Sequence, residues 1–94
     1  MHIDNDNVFV VIRDVIRDFS DYLLYKKSHG SEYTRRAIKQ SRIRHELMVL
    51  RDLEIISYEP DILDAPSPLA FAIRLHIQED EIAEKILTRC KDDE

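Results

Sequence analysis

Apolar residues at Val8, Val11, Ile12, Val15, Phe19, Tyr22 and Leu23 recur at spacings of three and four. At about 100° per residue these positions fall on one face of a helix, with Arg13, Asp14, Arg17, Ser20 and Asp21 on the other. The pattern predicts an amphipathic helix that Asp6 or Asn7 can cap. Ile16, Phe9 and Leu24 widen its stripe, so contact with more than one neighbour is expected. Lys26 and Lys27 suit its carbonyl end, and Gly30 lies where the chain can turn.

The next stretch is polar in its middle. Ser31 can cap a second helical segment in which Tyr33, Ala37 and Ile38 form a weak apolar face and Ile43, Leu47, Leu50 and Leu53 another, with nothing apolar from Lys39 to Arg42. One helix over about 32 to 54, or two meeting at Gln40 and Ser41, would both fit. The break is favoured, because Ser41 is a good cap and Ile38 to Ile43 is a step of five, out of phase with one helical face. A helix starting there would turn Ile43, Leu47 and Leu50 inward and Ser41, His45 and Asp52 outward, flanked by Arg42 and Arg44. Its first turns would be exposed and its last turns, with Met48 and Val49, buried.

Ile55, Ile56, Ser57 and Tyr58 read as a short strand ended by Pro60, and Pro60, Asp61, Pro66, Ser67 and Pro68 mark a loop. Leu69, Phe71, Ile73, Leu75 and Ile77 then alternate with smaller or polar residues, which predicts a second strand paired with 55–58. A helix beginning at Ser67-Pro68 is the competing reading, since Ser caps and Pro suits the first helical position. A last helix is expected from near Asp80, with Ile82, Ile86 and Cys90 on one face.

The order helix, helix, helix, strand, loop, strand, helix over roughly 8 to 90 is similar to that of a winged helix-turn-helix domain. The expected fold class is therefore α+β and mainly helical, winged-helix-like, with three helices, a β-hairpin and a C-terminal helix; a small all-α bundle is the alternative. A length of 94 residues suits one domain with a core over about 8–90 and flexible ends at 1–6 and 91–94.

Charge sharpens this picture. From Lys26 to Arg51 eight basic residues face two acidic ones, a net +6, between an N-terminal stretch of -3 and a C-terminal stretch of -8. The overall -5 thus conceals a strongly basic segment, which can mark a polyanion footprint. In a winged-helix arrangement Arg35, Arg36, Lys39, Arg42 and Arg44 would hold the phosphate backbone of double-stranded DNA. Gln40, Ser41 and His45 would face base edges, with Arg42 able to bond guanine bidentately. Against this, the would-be wing, DILDAPSP, carries two aspartates and no base. The basic segment can also be a solvated face, or can pair with the chain's own acidic flanks.

Other chemistries find little support. A single glycine, Gly30, excludes Walker and dinucleotide loops and the G-x-S-x-G elbow, which need more. His45-Glu46 begins like a zinc-protease helix, but Val49 stands where the second histidine must be. Asp61 with Asp64, and Glu79, Asp80, Glu81 with Glu84, read as solvated charge, and Cys90 as a small apolar helix residue. No enzyme, metal or cofactor is expected. One cysteine, no basic signal-like start and no apolar run of membrane-spanning length lead to the expectation of a cytoplasmic protein. The expected partners are DNA and a second copy, joined through the 8–24 and 80–90 helices. In a second reading, a protein-binding adaptor or inhibitor engages a basic partner with its acidic flanks.

Overall fold

The computed structural model describes the backbone over 4–29 and 33–93, and the side chains over 4–29 and 34–92. Gly30 and Ser31, assigned above to a turn and a cap, lie outside the described residues. The chain is mainly helical with one small antiparallel sheet: helices α1 (Asn5–Ser28) and α2 (Tyr33–Asp52), strand β1 (Ile56–Tyr58), a single 3-10 turn (Ile62–Asp64), helix α3 (Pro68–Arg74), strand β2 (Leu75–Ile77) and helix α4 (Asp80–Asp93). This is the expected α+β class.

α1 follows the apolar stripe: Val8, Ile12, Val15, Ile16, Phe19 and Tyr22 are buried. Its cap is Asp4 rather than Asp6 or Asn7, the Oδ1 of Asp4 accepting the Asp6 N–H at 3.0 Å. α4 contributes Ile82, Ile86 and Cys90 to the same core, as their spacing predicts. Phe19 and Phe71 stack at 4.2 Å between ring centroids in the middle of it.

Two expected elements are overturned as well. The helix pair meeting at Gln40 and Ser41 is one unbroken helix, α2. The step of five carried the case for a break, but Ile38 is 63% exposed and belongs to no buried face. The inward line instead runs through Arg36 and Gln40 to Ile43, Leu47 and Leu50, at helical spacing throughout. Lys, Gln and Arg are good helix formers, and no glycine or proline interrupts them.

The strand expected over 69–77 is likewise a helix up to Arg74 and a strand only from Leu75. Ser67 is the cap, its Oγ accepting the Ala70 N–H at 3.1 Å, and Pro68 opens the first turn. The helix buries Phe71 and Ala72 and leaves Ile73 exposed, so the alternation is kept only at its end. There Leu75, His76 and Ile77 pair with Tyr58, Ser57 and Ile56. The intervening segment is anchored as well, with Ile62, Leu63 and Ala65 in the core.

α2 stops without glycine. The Ile55 N–H bonds to the Leu50 carbonyl and the Glu54 N–H to the Arg51 carbonyl, a Schellman closure in which Glu54 takes a left-handed φ of 61°. A residue with a Cβ adopts that conformation at a cost of about 1 kcal/mol, which the anchoring of Ile55 beside the core offsets.

Candidate nucleic-acid interface

The continuity of α2 decides where its basic residues point. Its buried line is Ile43, Leu47 and Leu50. At about 100° per residue the opposite ridge is Thr34, Ile38, Ser41, His45, Met48 and Asp52, all exposed. Arg35 and Arg42 run along one side of that ridge and Arg44 and Arg51 along the other, all four exposed. From Thr34 to Met48 the ridge is uncharged at neutral histidine and, at about 1.5 Å per residue, spans about 21 Å.

The flanking cations differ in what holds them. Arg35 and Arg44 have no ion pair among the described residues. Arg42 Nε lies 3.2 Å from Glu46 Oε1 and 3.6 Å from Asp18 Oδ2, so it is leaned against α1. Arg51 sits 3.8 Å from Asp52 and donates to the Tyr58 hydroxyl at 3.4 Å, its guanidinium 5.6 Å from the Tyr58 ring. The carboxylates that reach Arg42 and Arg51 thus come from α1 and from α2 itself, not from the acidic α4.

The remaining expected residues face α1. Lys39 is half-buried, its Nζ 5.3 Å above the Tyr25 ring. Gln40 donates from Nε2 to the Tyr22 hydroxyl at 2.7 Å. Arg36 is half-buried on the same side. Of the eight expected residues, then, Arg35, Ser41, Arg42, Arg44 and His45 share the exposed surface, while Lys39 and Gln40 help seat the first half of α2 on α1 and Arg36 is half-buried. Thr34, Ile38, Met48 and Arg51 join that surface. Reading the stretch as one helix would have found them, since they follow from its uninterrupted period.

Beside Arg42 a groove of about 440 Å³ separates α1 from α2. Asp18, His45 and Glu46 line one part of it and Val11, Val49 and Leu53 another. The Glu46 carboxyl is pushed up to about 7, by burial first and then by the Asp18 carboxylate hydrogen-bonded to it, against the opposing pull of Arg42. No three His, Cys, Asp or Glu side chains among the described residues are gathered so as to hold a metal ion. No helix among those residues is long and apolar enough to cross a membrane.

No protein-family model matches the chain, and neither a curated protein nor a solved structure matches it.

Proposed function

We propose that the chain is a DNA-binding protein of the regulatory, non-enzymatic kind, which lays the outer ridge of α2 into a major groove. One observation carries the reading: an uncharged, exposed ridge bordered on both sides by exposed arginines. A groove about 12 Å wide admits one helix, whose crest then meets base edges while its two flanks meet the two phosphate backbones. Ser41 and His45 would read bases, Arg35, Arg42, Arg44 and Arg51 would hold phosphates, and Gln40, occupied by Tyr22, is set aside as a reader.

A winged-helix arrangement would be a finer form of this reading. The strand pair after the basic helix fits it, but α3 and not a wing joins the strands, and α2 has no turn within it. The proposal therefore rests on α2 alone. A homodimer through 8–24 and 80–90 would draw on Val10, Val11 and Leu24 of α1, since α4 exposes no large apolar side chain among the described residues.

The test is DNA affinity measured across a salt series. Arg35→Glu/Arg44→Glu is expected to weaken binding for all sequences and to flatten the logarithmic salt slope by about two, one per lost phosphate contact. Lys85→Glu/Lys91→Glu, equal in charge change but on α4, is expected to do much less. No binding by the wild type at low salt, or equal losses in the two variants, refutes the proposal. The adaptor reading draws on the exposed Glu79, Asp80, Glu81 and Glu84, of which, among the described residues, Glu81 alone has an ion pair, with Lys85 at 3.9 Å. A stoichiometric basic protein partner together with indifference to DNA would favour it.

A further inference from the structure

The flank of α1 turned away from α2 carries a second concentration of arginine. Arg13, Arg17 and Ser20 of α1 face Ile86, Arg89 and Cys90 of α4 across a cleft of about 310 Å³, with Pro68 at the start of α3 also lining it. Among the described residues no carboxylate lines the cleft. Asp14, which lines the groove between α1 and α2, places one oxygen 3.6 Å from Arg13 and 3.8 Å from Arg17, beyond hydrogen-bond reach of both. Arg89 has no ion pair among the described residues. Among those residues, the Nε of Arg13 is the one buried side-chain polar atom without a hydrogen-bond partner. Arg13 and Arg17 share the single carboxylate of Asp14 and Arg89 has none among the described residues, so the three guanidinium groups around this space outnumber their acceptors.

We propose that this cleft binds a small organic acid, its carboxylate held by Arg13, Arg17 and Arg89 and its short apolar body seated on Ile16, Ile86 and Cys90. Guanidinium groups suit a carboxylate because their planar N–H donors match its two oxygens. The buried apolar residues between them distinguish the ligand from a bare inorganic anion, which would leave that surface wet. The volume lies at the small end of the usual range for ligand sites, which limits the body to a few carbons. The cleft shares no lining residue with the groove between α1 and α2, which Val11, Asp18 and Arg42 line.

Calorimetric titration of the full chain with hexanoate, hexanol and inorganic phosphate tests it, with the arginine Nε–H resonances followed by NMR. Hexanoate is expected to saturate at one per chain and to move the Arg13 Nε–H signal. Hexanol, and hexanoate on Arg89→Gln or Arg17→Gln, are expected to bind at least ~10-fold more weakly. Both variants alter exposed side chains, and an unchanged far-UV spectrum establishes that they fold. Phosphate binding tighter than hexanoate, equal binding of hexanol, a folded Arg89→Gln that binds as well as the wild type, or heat that never saturates overturns the proposal. A loss of DNA affinity in Arg89→Gln as large as in the α2 variant also overturns it, since the cleft would then belong to a nucleic-acid footprint.

Discussion

α1 and the first half of α2 are both long helical stretches, yet they relate to the core in opposite ways. α1 buries six side chains spread over most of its length. α2 buries none among the described residues before Ile43, and that half is held by a Gln40–Tyr22 hydrogen bond and by Lys39 over Tyr25. Polar side chains thus stand where apolar ones would be expected. The difference separates a helix the fold requires from one the fold merely positions, and the exposed charge sits on the second. Hydrogen bonds of that kind contribute about 1 kcal/mol each, against 1.5–3 kcal/mol for a fully buried large apolar side chain.

The largest effect should come from the α1 side of the comparison. Phe71 is fully buried and stacks on Phe19, so Phe71→Ala removes a ring that both α1 and α3 depend on. A loss of about 3–5 kcal/mol is expected, a large part of the total for a chain of this size. Chemical denaturation measures it directly, and a loss under about 1 kcal/mol would mean the core is not centred on this pair.

Next comes the seam between the two helices. Glu46 of α2 meets Asp18 of α1 and Arg42, with Asp14 and His45 in the same groove. Its carboxyl is raised from 4.5 to about 7, so the folded chain holds that proton more tightly than the unfolded one. The resulting stabilisation is fully present below about pH 4.5 and is lost as pH rises through about 7. Glu46→Gln, which cannot ionise, should keep its urea midpoint more nearly constant between pH 5 and pH 8 than the wild type. Parallel midpoints in the two proteins would show that Glu46 is as free to ionise as in the unfolded chain.

What the sequence made legible follows the same division. Where apolar spacing and burial coincide, as in α1 and in Ile82, Ile86 and Cys90 of α4, the elements could be read directly. Exposed apolar residues misled the reading where few others fixed the face: Ile38 and Ile73 are 63% and 58% exposed, and each misplaced an element by being counted as core, whereas the exposed Val11 and Leu24 did not disturb α1. Ile38 created the false break in α2, and Ile73 helped extend a three-residue strand to nine residues. Composition cannot tell an isoleucine that packs from one that does not, so the uncharged ridge of α2 emerged only with its uninterrupted helix. The Arg13–Arg17–Arg89 cleft was illegible for another reason, since α1 and α4 are far apart in the chain.

The smallest predicted effect is the one most specific to α2. Ile38→Ala and Ile43→Ala make the same chemical change five residues apart in one helix, and alanine favours helix at both. Ile43 is 1% exposed, so its truncation should cost about 2–5 kcal/mol. Ile38 stands on the solvent ridge, so its truncation should stay within about ±0.5 kcal/mol by denaturation of the isolated chain. A cost at Ile38 comparable to that at Ile43 would mean that the first half of α2 packs against something, and its arginines would then border a protein contact instead of a free ridge. A near-zero cost leaves that ridge free of the fold's demands, as a surface that reads bases must be.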